Sequence, residues 1–137
     1  MKIQNFLIKL PALIITAISW LISSKSKVPM PDFQNSDKFI HLICFTALAC
    51  CWCLWFNLEN WKLHPFRCVL FVVTIVSVYG IIDEIHQYFV PGRHASVLDW
   101  LADTLGGICG GIIGLVLTKF LQRNHKYLRH GDNSNLS

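Results

Sequence analysis

The sequence predicts an all-α membrane protein built from four transmembrane helices. Of its 137 residues, 53% are hydrophobic and 15% charged, and the mean hydropathy is +0.46, outside the usual range for a soluble domain. Apolar segments at residues 6–24, 39–56, 68–90 and 97–120 approach or reach the roughly 20 residues a helix needs to cross about 30 Å of hydrocarbon. Clusters of turn-forming residues separate these segments, so each reads as its own element.

The first segment follows Lys2 and Lys9 and ends at Ser23 and Ser24. That pattern also suits a signal peptide, but no A-x-A-like cleavage site follows and the apolar run is long, so a retained helix is expected. Pro29, Pro31, Asp32 and Asn35 make the next loop. The second helix opens on "DKFIH" and leads to a connection marked by Asn57, Asn60 and Pro65. The third ends in "YGIIDEIHQYFV", after which Pro91-Gly92 turns the chain back. Ser96, three residues before Asp99, fits a cap for the fourth helix, where Asp99 would face the positive end of the helix dipole. The chain thus divides into the N-terminus with the first helix (1–24), a three-helix unit (25–120) and a polar tail (121–137).

With both termini in the cytoplasm, eight Lys and Arg residues flank the spans inside (Lys2, Lys9, Lys62, Arg67, Lys119, Arg123, Lys126, Arg129) and four lie outside (Lys25, Lys27, Lys38, Arg93). The bias favours that orientation. It also explains the net charge of +4 without nucleic acid, the lipid bilayer being the partner such cations suit. The six cysteines, Cys44, Cys50, Cys51, Cys53, Cys68 and Cys109, all fall inside or at the edge of spans and read as buried free thiols. "CCWC" has no metal-finger spacing, and no cofactor or resident metal is expected.

Three polar clusters then arrive at one leaflet. At about 100° per residue, Gly80, Asp83, Glu84 and Gln87 share a face of the third helix and His86 points away from it. Asp99, Asp103, Gly106, Gly110 and Gly114 form a stripe on the fourth, and Asp37, His41 and Cys44 share a face of the second, with Lys38 at its border. Asp83 lies roughly 12 Å from Pro91 along a straight helix. A charge near the membrane centre costs about 2.5–3.5 kcal/mol on insertion scales, so such acids pair, protonate or line a wet cavity. They could serve only as glue, with Lys38 or Arg93 neutralising them, but four acids, an Arg and a His exceed what four helices need. Gly106, Gly107, Gly110, Gly111 and Gly114 in "GGICGGIIG" read as close helix packing within the chain, with dimerisation the other use.

The combined pattern, D-K-x-x-H (from Asp37), D-E-x-x-Q (from Asp83), P-G-R (from Pro91) and D-x-x-x-[DN]-x-x-G (from Asp99), resembles the VanZ-like membrane proteins over roughly residues 25–117. The resemblance implies polar roles for Asp37, Lys38, His41, Asp83, Glu84, Gln87, Arg93, Asp99 and Asp103, with Asp103 departing from an expected Asn. It also implies the bacterial cytoplasmic membrane and a link to teicoplanin susceptibility.

Three function classes compete. The first is a non-catalytic protein whose outward pocket binds a lipid-linked wall precursor, a lipoglycopeptide or a protein partner, with Arg93 at its mouth. The second is an intramembrane enzyme acting on a lipid-linked phosphate or sugar through Asp83 or Glu84, although no nucleophile elbow, P-loop or H-E-x-x-H motif is present. A metal held by His41, Asp83, Glu84 and Asp103 is chemically allowable, but that set is not diagnostic. The third is a proton- or cation-coupled carrier, for which neither an inverted repeat nor a broken helix is visible. The sequence leaves oligomeric state open.

Overall fold

The computed structural model describes residues 6–29 and 31–134, with side chains described through residue 124. Its elements are α1 (Leu10–Ser23), α2 (Ser36–Cys53), α3 (Leu58–Leu63), α4 (Pro65–Tyr88) and α5 (Val97–Ser134), with no strand among the described residues. Prolines open two of them, Pro11 in the first turn of α1 and Pro65 as the first residue of α4, where a missing N–H costs nothing. Asn57 caps α3 by accepting from the Asn60 N–H at 2.8 Å.

Helices α2, α4 and α5 are long and apolar enough to cross a membrane. α1 is a shorter apolar helix of 14 residues, or about 21 Å. α5 begins at the expected residue but continues well past 120, through the segment read as a tail.

The glycines show how α5 packs. A Cβ built on Gly106 would lie 2.7 Å from the Leu42 carbonyl oxygen, one on Gly110 2.6 Å from that of Thr46, and one on Gly114 2.5 Å from the Cys53 sulfur. Gly107 and Gly111 instead face Val76 and Val69 of α4. Rising numbers on α5 therefore meet rising numbers on α2 and falling numbers on α4, so α5 runs parallel to α2 and antiparallel to α4. With lipid outside, close backbone approach supplies the packing that a hydrophobic drive supplies in water.

Polarity across the bundle is inverted relative to a soluble protein. Ile81, Ile82, Ile85, Leu105, Ile112 and Val116 are exposed, whereas His41, Asp83, Glu84, Gln87, Asp99 and Asp103 are buried. A surface this apolar belongs in hydrocarbon. An apolar cluster that includes Phe45, Leu48, Cys53, Trp61, Val72 and Val76 fills the core. The cysteines divide: Cys53 and Cys68 are buried, Cys50 and Cys51 intermediate, and Cys44 and Cys109 lie on the bundle surface. Burial of all six, expected from position along the chain, is thus corrected, because a helix in lipid offers an apolar environment on its outer face too.

α1 is fastened to α4. Tyr79 Oη donates to the Thr16 carbonyl at 3.1 Å, Ser24 Oγ and His86 Nε2 are hydrogen-bonded at 2.9 Å, and Trp20 stacks on His86 with centroids 4.0 Å apart. His86, off the polar face of α4, thus holds a neighbouring helix. Replacing His86 by alanine is expected to cost about 1 kcal/mol, read as a lower melting temperature of the detergent-purified protein. An unchanged melting temperature would show that α1 is held by Tyr79 and its apolar contacts alone.

Candidate functional site

The polar cluster sits at the end of the bundle where α2 and α5 begin and α4 ends. α2 contributes Asp37, Lys38 and His41, α4 contributes Asp83, Glu84 and Gln87, and α5 contributes Asp99 and Asp103. Arg93 comes from the connection between α4 and α5, a turn closed by Arg93 N–H donating to the Val90 carbonyl at 3.1 Å. Pro91 and Gly92 occupy its centre, and Gly92 has φ +81°, the left-handed value a type II turn requires at that position.

Asp103, with no exposed surface, lies between α2 and α4. His41 Nδ1 and Asp103 Oδ1 are hydrogen-bonded at 2.8 Å; with the carboxylate ionised, Nδ1–H is the donor, since a carboxylate then only accepts. On the α4 side the room comes from Gly80, where a Cβ would stand 2.8 Å from Asp103 Oδ2. Gly80 and Asp103 are therefore a matched pair.

A second chain of contacts links the turn to α4. Arg93 donates to Gln87 Oε1 through Nε at 3.1 Å and through Nη2, and Gln87 Nε2 donates to Asp83 Oδ2 at 2.8 Å. The amide of Gln87 stands between guanidinium and carboxylate, so Arg93 orients Asp83 without touching it. Glu84 Oε2 accepts the Ser96 backbone N–H at 2.6 Å, and Ser96 Oγ accepts the Asp99 N–H at 3.3 Å. Lys38 Nζ lies 2.9 Å from Asp37 Oδ2 and 3.2 Å from Asp99 Oδ1. The Asp99 contact is an ion pair without hydrogen-bond geometry, since Asp99 Oδ1 has no hydrogen-bond partner among the described residues.

Lys38 and Arg93, the two cations that a purely adhesive role would have neutralise the acids, are occupied by Asp37, Asp99 and Gln87. Among the described residues, neither Asp83 nor Glu84 has a basic side chain within 4.0 Å. Four buried carboxylate oxygens, Asp83 Oδ1, Glu84 Oε1, Asp99 Oδ1 and Asp103 Oδ2, have no hydrogen-bond partner there. Of these, among the described residues, only Asp99 Oδ1 has a cation beside it, Lys38; buried polar atoms are normally paired, so the other three mark the cluster chemically. His41, Asp83 and Glu84 each present one metal-ligating atom, all within 4.8 Å of one another.

Two apolar-walled cavities flank the cluster. One of about 190 Å³ is lined by Ile15, Ile18, Ile22, Val28 and Ile40, and also by His41, Asp83, Gln87 and Arg93. The other, about 450 Å³, is lined by Ile81, Ile85, Tyr88, Phe89 and Trp100 and reaches Glu84 and Ser96.

Sequence reasoning missed a hydrogen-bonded brace beneath the acids. Trp100 Nε1 donates to Ser77 Oγ at 3.1 Å, and Ser77 and Thr104 hydroxyls meet at 2.9 Å. A signal was available: Ser77 lies one turn before Gly80 on the same stripe of α4.

A family model described as VanZ/LLP1 matches residues 3–121, taking in α1 as well as the three longer helices. No curated protein and no solved structure matches the chain.

Proposed function

The chain belongs to the VanZ/LLP1 family, and from that premise we propose that it is a multi-pass protein of the bacterial cytoplasmic membrane that binds the charged head of an envelope amphiphile. That amphiphile is a lipid-linked wall precursor or a lipoglycopeptide antibiotic, and its capture lowers susceptibility to teicoplanin. The Lys and Arg bias supports an orientation with both termini inside and the cluster toward the outer leaflet, α1 serving as the fourth span in this reading.

One observation carries this reading: the cavity of about 190 Å³ is lined by Ile15, Ile18, Ile22 and Ile40 and also by His41, Asp83, Gln87 and Arg93. An amphiphile has the complementary halves, an acyl or prenyl chain for the isoleucines and an anionic head for the polar end. Arg93 uses two of its five donors on Gln87, leaving the others for an anion.

Expression of the wild type in a Gram-positive host is expected to raise tolerance of teicoplanin, and Glu84→Gln and Arg93→Ala at matched membrane levels are expected to abolish that protection. Well-expressed wild type that gives no protection, with no wall precursor co-purifying, would defeat the reading.

The free carboxylate oxygens and the His41–Asp103 pair favour a second reading, an intramembrane enzyme in which Asp83 or Glu84 exchanges a proton with a lipid-linked phosphate or sugar. A chemically altered lipid in membranes carrying the wild type, but not Glu84→Gln, would select it.

A further inference from the structure

We propose that His41, Asp83 and Glu84 form a binding site for one divalent transition cation, with Asp103 positioning the histidine. The inference does not rest on the amphiphile proposed above.

Both acids present themselves in the same way. Asp83 has Oδ2 held by Gln87 at 2.8 Å and Oδ1 free, while Glu84 has Oε2 held by the Ser96 N–H at 2.6 Å and Oε1 free. The residues are only 2% and 7% exposed. Each carboxylate is thus oriented through one oxygen and offers the other, the disposition of a monodentate ligand. The histidine matches it: with Nδ1–H donating to Asp103 Oδ1 at 2.8 Å, the lone pair of Nε2 is the one left to bind. A carboxylate behind a ligating imidazole fixes its tautomer and strengthens it as a donor.

Spacing and charge agree with this. His41, Asp83 and Glu84 each have a nitrogen or carboxylate oxygen within 4.8 Å of such an atom on the other two; around one ion, with bonds of about 2.0–2.2 Å, ligand atoms sit about 3–4 Å apart, so side-chain rotations are needed to bring Nε2 and the two free oxygens onto one ion. Among the described residues the two buried carboxylates have no basic partner; as ligands they would bring two negative charges, which one divalent cation balances. An imidazole with two carboxylates suits Zn²⁺, Mn²⁺ or Fe²⁺ better than Mg²⁺ or Ca²⁺. His41 and Asp83 also line the cavity that Arg93 lines, so the proposed cation would border a space that a further ligand can enter.

The test uses the full chain purified in detergent without a histidine tag, stripped with chelator and titrated with Zn²⁺, Mn²⁺ and, as a control, Mg²⁺. We expect about one Zn²⁺ or Mn²⁺ per chain by elemental analysis, no comparable Mg²⁺ uptake, and a melting temperature that rises on loading. Affinity should fall at least tenfold in His41→Ala, Asp83→Asn and Glu84→Gln, and about 10- to 100-fold in Asp103→Asn. Replacing Cys50, Cys51 and Cys53 with serine should leave it unchanged. Because these variants can misfold, Co²⁺ loading of the wild type gives an independent reading: d–d absorption without a thiolate charge-transfer band is expected. A thiolate band, substoichiometric uptake by folded wild type, or undiminished binding in the folded His41→Ala/Glu84→Gln double variant would overturn the proposal.

Discussion

Gly110→Ala is expected to separate α5 from α2 and leave little folded protein in the membrane. The added Cβ would lie 2.5 Å from Ala49 Cβ, 2.6 Å from the Thr46 carbonyl oxygen and 3.1 Å from the Cys50 nitrogen. Two of those neighbours are backbone and the third is fixed to it, so no rotamer relieves the clash. Overpacking costs about 1–3 kcal/mol where side chains can shift, and this site should reach or exceed the top of that range. Gly111→Ala provides the control. Its Cβ would stand 3.2 Å from Val69 Cγ1, a side chain that can give, so a loss of about 1 kcal/mol or less is expected. Unfolding in a graded mixture of mild and denaturing detergents reads both. If Gly111→Ala proved the more damaging, the seam assigned to α2 and α5 would be wrong.

His41→Leu is expected to destabilise nearly as much, for an electrical rather than a steric reason. It leaves Asp103, which has no exposed surface, without its one side-chain hydrogen-bond partner among the described residues. Breaking a buried pair from one side costs about 3–5 kcal/mol, whereas replacing both members with apolar groups is often close to neutral. The double variant His41→Leu/Asp103→Leu should therefore recover most of the loss, and the cycle gives the coupling directly. A double variant no more stable than His41→Leu would mean that Asp103 is held by the rest of the cluster and not by His41.

Much of the scaffold was legible because membranes impose simple rules on composition. The segments expected at 39–56 and 68–90 correspond to α2 (Ser36–Cys53) and α4 (Pro65–Tyr88), since an apolar run of that length has few structural alternatives. Helical periodicity put Asp99, Asp103, Gly106, Gly110 and Gly114 on one stripe, and all five meet α2, through Lys38, His41 or its backbone and side chains. Periodicity carries no information about relative height between helices, however. It could not say that Lys38 reaches Asp99 and not Asp83, that Arg93 engages the amide of Gln87, or that the Ser96 N–H closes on Glu84. Those partners depend on how far the helices slide along one another, α5 packing closely on α2 at Gly106 and Gly110 and on α4 at Gly80 and Gly107. The short reach of α1 and the continuation of α5 to Ser134 were equally hidden, because hydropathy marks where lipid can be tolerated and not where a helix starts or stops.

The parallel pairing of α2 with α5 has a consequence for biogenesis. Its contacts join residues far apart in the chain, as in His41 with Asp103, separated by 62 positions, and α3 and α4 must be made between them. During synthesis α2 therefore enters the bilayer before the glycine face that will cover it exists, and Lys38 and His41 wait without Asp99 and Asp103. Closing so long a loop is the slow, entropically costly kind of step. The polar cluster is consequently completed late, and a chain truncated before α5 would lack Asp99 and Asp103, leaving Lys38 and His41 without those partners.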